Sequence, residues 1–337
     1  RAGGTGNIGN DETQANPNQE SDIHSIKVWV FKSGTGTGAN PIAYKEDKPT
    51  AVGGGTYTLN LRFLRKINGE EIKNIDLYIL ANSESTNMAK KLEGKDLRSI
   101  TRAELQGVTF DYPFGITEEG KAQTTKVPEG KGLPISRAIT NIAIAGHVAD
   151  TEIKAKEIGI KIPLVRAVSK LHFYFARKNT AEAMTENVKV TRIEIDGNTF
   201  PTESYVFPDE EEYTKADANK SATSNKYGSP SYVPDTLKLD GVGNTGIKEV
   251  EDPLIYTRGE NETAQAYMDR MNEEFKEIGG HDLSYLRETN KPIKGKIYYQ
   301  LAEGGSEKFR EFTIPSEDKA IRNRELVVYG YFLQGGA

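Results

Sequence analysis

The chain has 337 residues, 36% of them hydrophobic and 28% charged, enough for about two domains of ordinary size that each bury a core. The balance of 44 basic against 49 acidic residues, a net charge of -5, leaves no basic excess for phosphate backbones or anionic lipid, so nucleic acid is not expected as a partner. There is no cysteine, which excludes disulfides, thiolate metal sites and a catalytic thiol while saying nothing about compartment.

Residues 1–22 are rich in Gly, Asn, Asp, Glu and Gln with almost nothing apolar, so they cannot repay the entropy of ordering and are expected to form a flexible lead. Order is expected from Ile23. In Ile26-Lys27-Val28-Trp29-Val30-Phe31, Ile26, Val28 and Val30 share one face and Trp29 and Phe31 the other, the pattern of a strand buried on both sides. After Gly53-Gly54-Gly55, Tyr57, Leu59, Leu61 and Phe63 alternate with Thr58, Asn60 and Arg62, which predicts a sandwich strand with one wet face. Ile75 to Leu80 predicts a further strand, Thr86 to Leu105 one or two short helices, and Ile139 to Ala145 another strand.

A second block opens with the apolar run from Ile160 to Phe175, and the domain boundary is placed at Pro163, giving domains 23–162 and 163–337. Val188 to Ile195 alternates strictly and is followed by Asp196-Gly197, a hairpin signal. Residues from Pro208 to about Gly246 read as long surface loops. One helix follows, capped by Asn261, with Ala266, Tyr267, Met271, Phe275 and Ile278 as its apolar side and Gly279-Gly280 as its stop. Strands are expected again at 296–301, 309–314 and 325–333. Short strands spaced by turn signals, with few helices, argue for β-sandwiches over a doubly wound sheet.

A search for chemistry finds none. Gly4-Thr5-Gly6-Asn7-Ile8-Gly9 has the spacing of a dinucleotide loop but neither the strand before it nor the helix after it that the motif requires. His24, His147, His172 and His281 show no metal-ligand spacing, and His172 is read as an outward sheet residue between buried neighbours. The run Asp209 to Glu212 lacks the spaced oxygen ligands and turn glycine of a calcium loop. No nucleophile elbow or phosphate loop is present, so the chain is read as a non-enzyme with no cofactor, no metal and no small-molecule substrate.

The order of short motifs resembles the fimbrillin-type pilins of Bacteroidales, which build type V pili, along nearly the whole length. Arg1-Ala2-Gly3-Gly4 followed by a polar lead and the strand from Ile26 is similar to that family's arginine-protease site and first mature strand. Ile79-Leu80-Ala81-Asn82, Leu133-Pro134-Ile135-Ser136, the segment Leu164 to Lys170 containing Arg166, and Ile321-Arg322-Asn323-Arg324 resemble its later elements in the same order.

The resemblance implies a mostly-β chain of two tandem transthyretin-like β-sandwich domains with a few short helices. It also implies export as a lipoprotein precursor to the cell surface, and proteolytic removal of a leading strand after an arginine, with Arg1 and Ala2 as the processing site. Assembly into a fimbria by donor-strand exchange with other pilin subunits would follow. Ile26, Val28 and Val30 are the candidate groove and first strand, and Ala81, Asn82, Pro134, Arg166, Lys170, Arg322 and Asn323 the candidate structural residues of the family motifs. Shaft subunits of the family carry a further strand-forming tail, whereas this chain ends at Leu333-Gln334-Gly335-Gly336-Ala337, which fits either a tip subunit with adhesive duty, binding a surface glycan or protein, or a shaft subunit whose tail was cleaved or left out, the tip being slightly favoured. The alternatives are a surface carbohydrate-binding sandwich, suggested by 16 tyrosines and one Trp, and behind it a secreted glycosidase.

Overall fold

The computed structural model describes residues 22–49, 66–111, 130–144, 164–178, 188–207, 232–239, 242–250, 258–278, 285–301, 304–315 and 322–332, less a few single positions, together with 57, 59, 61–63, 127, 162 and 320. The expected lead apart from Asp22, the processing pair Arg1 and Ala2, the acidic run 209–212, His147, His281 and most of the expected loop region 208–246 lie outside the described residues. The chain is mostly β, with several sheets and few helices.

The first sheet is antiparallel throughout. Strand β1 (Ile26–Lys32) lies between β2 (Ala43–Asp47) and β5 (Asn74–Ala81), and β7 (Ile135–Ala143) and β8 (Val165–Arg166) follow on the far side of β5. Its two faces are both apolar, as the continuous run in β1 requires. Ile26, Val28 and Val30 enter one cluster with Leu77, Ile79 and Ile135, while Trp29 and Phe31 enter the other with Tyr78 and Leu80. The β5 and β7 register shifts between Ile75 and Leu77, where the buried Asp76 takes hydrogen bonds from the Asn141 backbone N–H (2.8 Å) and from Arg102 (2.7 Å).

The segment expected as a sandwich strand at 57–63 covers the first face without joining a ladder at its described positions. Leu61 and Phe63 are buried against Ile26, Val28 and Val30 and Arg62 is exposed, so the alternation is right about which side is wet. Alternating burial requires only an extended backbone lying on an apolar face; ladder hydrogen bonds need a partner edge as well. Beyond it, β3 (Lys66–Ile67) and β4 (Glu70–Glu71) form a tight hairpin whose turn, Asn68 and Gly69, has both φ positive (52° and 82°), the geometry an Asn-Gly pair favours.

The second face is covered by helices α1 (Met88–Leu92) and α2 (Arg102–Gln106), the short helices expected there. Thr101 and Glu104 form a reciprocal capping box on α2. Trp29 is fully buried, and its indole N–H donates to the Leu97 carbonyl at 2.9 Å.

The second unit is a β-sandwich. One sheet centres on β9 (Ser169–Lys178), which pairs in parallel with β19 (Glu325–Phe332) along one edge. Its other edge is shared by β16 (Tyr285–Leu286), β15 (Lys276–Ile278) and β14 (Lys248–Val250). The facing sheet runs β12 (Leu237–Lys238), β10 (Lys189–Ile195), β17 (Ile293–Gln300) and β18 (Lys308–Ile314), with β13 (Thr245–Gly246) also on β10. Leu171, Phe173 and Phe175 from one sheet interdigitate with Val190, Ile193, Ile195, Ile297 and Tyr299 from the other. A Cβ on Gly330 of β19 would lie 2.3 Å from the Phe175 ring, so only glycine lets that ring lie across the neighbouring strand.

Three local expectations are corrected. The hairpin expected at Asp196-Gly197 does not form: β10 takes β17, β12 and β13 as its neighbours, and a Cβ on Gly197 would meet the Pro234 carbonyl oxygen at 2.0 Å. The glycine serves a close backbone crossing, not a two-residue turn. The later helix, α3 (Ala264–Glu274), is capped by Thr263, whose Oγ1 accepts from the Ala266 N–H at 3.1 Å, and not by Asn261. It stops at Glu274 because the chain turns extended at Phe275 and joins β9 as β15, which places Ile278 in a strand. His172 faces the outer side of β9 as alternation predicts, yet it is only 3% exposed and stacks on Tyr174.

Candidate functional site: the seam between the two units

The residues singled out by the sequence motifs converge on one line of contacts. Asn82 ends β5 in the left-handed region (φ 57°), a conformation asparagine tolerates far better than residues with bulkier side chains. Its side-chain amide donates to the carbonyls of Asp22 (2.7 Å) and Leu133 (2.8 Å), and its oxygen accepts from the His24 N–H (2.8 Å). Gly132, at φ +67°, passes so near that a Cβ would lie 2.5 Å from Asn82 Nδ2. One side chain thereby ties the entry of β1 to the approach of β7. Ala81, fully buried beside it, pairs with both Ile26 and Ile135.

From there the line crosses to the second unit. The Pro134 carbonyl accepts from the Ala167 N–H (2.8 Å), and Arg166 Nε donates to Asn323 Oδ1 (3.1 Å). Asn323, also left-handed (φ 60°), donates its N–H to the Val168 carbonyl (2.8 Å). Arg322 is completely buried against Glu288: its backbone N–H and Nε each reach that carboxylate at 2.9 Å and Nη2 at 2.6 Å. Nη1 and Nη2 also donate to the carbonyls of Val206 (3.1 Å) and Tyr205 (2.8 Å). Lys170, buried as well, holds its ammonium 5.6 Å from the centre of the Tyr285 ring.

The segment 203–207 of the second unit completes the first. Strand β11 (Ser204–Tyr205) pairs with β6 (Thr109–Phe110), and Val206 donates to the Val108 carbonyl at 2.9 Å. Phe207 packs edge-on to Trp29 (6.5 Å) and Tyr78 (5.3 Å), and the Ser136 hydroxyl donates to the Val206 carbonyl (2.6 Å). Beside it Lys91 and the Thr109 hydroxyl both bond the Glu203 carboxylate, the lysine's hydrogen bond holding that carboxyl below its usual range against the opposing effect of burial. Burial pushes the Arg287 guanidinium down to about 9, opposed by the nearby charges of Asp111 and Glu203, and its Nη1 donates to the Asp111 carbonyl.

Glu203, Phe207, Arg287 and Glu288 were not singled out from the sequence. Nothing in their spacing marks them, since each finds its partner only through contacts more than 30 positions away in the chain.

Ile26, Val28 and Val30 are buried under Leu61, Phe63 and Ile72, and β1 is paired along both edges, so they form the floor of a covered apolar face and not an open strand edge. At the entry of β1 the buried Lys27 ammonium donates to Ser83 Oγ (2.8 Å) and Glu84 (3.0 Å). Burial pushes the Glu84 carboxyl up, but hydrogen bonds from Ser25 and Lys27 outweigh it and hold the group at about 2. Among the described residues no group of three or more His, Asp or Glu side chains is placed to hold a metal ion, and no helix is long and apolar enough to cross a membrane.

No family model and no curated protein matches the chain. Among solved structures it is similar to a candidate cell adhesion protein of Parabacteroides distasonis, at 14% identity and a TM-score of 0.45, over 96% of this chain and 85% of that one. It is also similar to a candidate cell adhesion protein of Bacteroides eggerthii, at 12% identity and a TM-score of 0.41, over 87% of this chain and 72% of that one.

Proposed function

We propose that the chain is a non-enzymatic structural subunit of a cell-surface fimbria that joins its neighbours by strand addition. The observation that carries this reading is the seam. Short motifs that resemble fimbrillin elements, scattered from Asn82 to Asn323, supply contacts that join the entry of β1 to the approach of β7, join Pro134 to Ala167 and β8 to Asn323, and anchor Arg322 on Glu288 and the 205–206 carbonyls. Motif residues chosen by accident would not be expected to fall on one continuous set of contacts.

On this reading the two units are transthyretin-like sandwiches, divided at Pro163, and the precursor is an exported lipoprotein cleaved at Arg1 and Ala2. The apolar face floored by Ile26, Val28 and Val30 is where a strand is exchanged. Its cover at Leu61 and Phe63 joins no ladder at the described positions, which supports a layer that a neighbour's extended segment completes. A head-to-tail contact of this kind generates a filament where its rotation does not close into a ring.

The test is to express the precursor, treat it with an arginine-specific protease and follow oligomer ladders by gel electrophoresis without boiling, with and without the sequence encoded after Ala337. Ladders that need both cleavage and a supplied donor strand support the reading. A cleaved chain that stays monomeric with every donor strand offered removes the assembly mechanism.

A further inference from the structure

We infer that the outer edge of β18 pairs, antiparallel and head to tail, with the outer edge of β2 in a second copy of this chain. Among the described residues β18 hydrogen-bonds as a ladder only to β17, and β2 only to β1, so each ends its sheet with a row of backbone N–H and C=O groups directed outward. Lys308, Phe309, Arg310 and Glu311 of β18 are all exposed, and neither strand contains a proline that would block a ladder. Both edges carry charges, which suppress indiscriminate pairing and leave the choice of partner to charge complementarity.

Neither edge suits its own copy. Antiparallel pairing about the middle of β18 sets Arg310 against Arg310 or Glu311 against Glu311, and pairing about the middle of β2 sets Lys45 against Lys45, like charges directly opposite one another. The two different edges do suit each other. In the antiparallel register that opposes Arg310 to the partner's Glu46, Glu311 meets Lys45, Phe312 meets Tyr44 and Thr313 meets Ala43. Sliding by one residue either way sets Arg310 against Lys45 or Glu311 against Glu46, so the register is defined by charge. Its one like pair, Lys308 beside Lys48, falls past the last residue of β2, where both side chains reach water. Each carboxylate then stands between two cations. Glu46 has Lys27 at 3.2 Å within its own sheet, and Glu311 has Lys296 opposite it in register. Glu46 is held by Lys27 and by the Tyr44 hydroxyl (3.0 Å) with its side chain still 39% exposed, so it accepts a further donor with little reordering.

The contact uses two edges of the folded chain and needs neither cleavage nor a donor segment, so it does not rest on the fibre reading, and its failure leaves strand exchange untouched. The chain has no cysteine, so introduced thiols report this contact alone. Directly opposed residues of an antiparallel pair have Cβ atoms about 5 Å apart, close enough for a disulfide after slight adjustment. The experiment mixes the full chain carrying Thr313→Cys with the full chain carrying Ala43→Cys under a mild oxidant and reads covalent dimer on a non-reducing gel. Dimer is expected from the mixture, little from either chain alone, and little from Phe309→Cys mixed with Ala43→Cys, which is four residues out of register. Glu311→Lys added to the Thr313→Cys chain is expected to lower the yield about fivefold, and Lys45→Glu in the other chain to restore it. Thermal midpoints confirm that the variants are folded, and Glu311→Cys mixed with Lys45→Cys repeats the test should Ala43→Cys not fold. Three results overturn the proposal: no dimer from either matched pair, as much dimer from single variants or from the out-of-register pair, or a charge reversal that the second reversal fails to rescue.

Discussion

The guanidinium of Arg322 and the carboxylate of Glu288 meet at 2.6 Å with neither side chain more than 3% exposed, and the same guanidinium holds the carbonyls of Tyr205 and Val206. Two opposite charges have been taken out of water together. Such a pair contributes little beyond a well-packed apolar substitute, but losing one member strands the other. Arg322→Met is therefore expected to lower stability by about 3–5 kcal/mol, and Glu288→Gln by less, because the amide still accepts one bond. Urea denaturation of the two variants and of the pair, as a double-mutant cycle, measures the coupling. A coupling near zero contradicts this account.

Phe207 belongs to the second unit by sequence and to the first unit's core by contact. Phe207→Ala leaves a cavity beside Trp29 and Tyr78 and is expected to cost about 3–5 kcal/mol. The chain has a single Trp, so its fluorescence reports on the first unit alone. The Trp29 transition and the far-UV circular dichroism transition should both shift to lower denaturant by the same amount. A shift confined to one probe would mean that the units unfold separately.

Ser204 is fully buried next to the β6 and β11 pairing, and its Oγ has no hydrogen-bond partner. A hydroxyl held from water without a partner is destabilising, so Ser204→Ala is expected to raise stability by about 1 kcal/mol. A thermal midpoint that falls in this variant would show that the hydroxyl is satisfied in solution.

Glu84 is held at about 2 when folded, below its ordinary 4.5. A carboxyl whose folded value is depressed contributes stability that is complete above its unfolded value and lost as pH falls toward the folded one. Stability should therefore decline between about pH 4.5 and 2, by a modest amount because this side chain is 39% exposed and screened by solvent. Glu84→Gln should flatten that part of the profile when midpoints are measured across the acid range. An unchanged slope would remove Glu84 from the list of groups responsible.

The sequence alone indicated most of the longer strands with their faces, and short helices between Thr86 and Leu105, because alternation and helical spacing are local properties of side chains against one apolar layer, whereas short strands such as Ala43–Asp47 and Lys276–Ile278 left no such signal. It placed Trp29 in a core and Asn82, Arg166 and Arg322 among the structural residues, and the seam is where they are found. What only the tertiary structure decided is pairing. Whether Tyr57 to Phe63 joins a ladder, whether Asp196-Gly197 turns a hairpin, and where α3 yields to β15 all depend on which backbone edge lies alongside. Glu203, Phe207, Arg287 and Glu288 became legible for the same reason. Each looks like an ordinary surface or strand-end residue until a segment distant in sequence removes it from water, and that distance is not encoded in any local period.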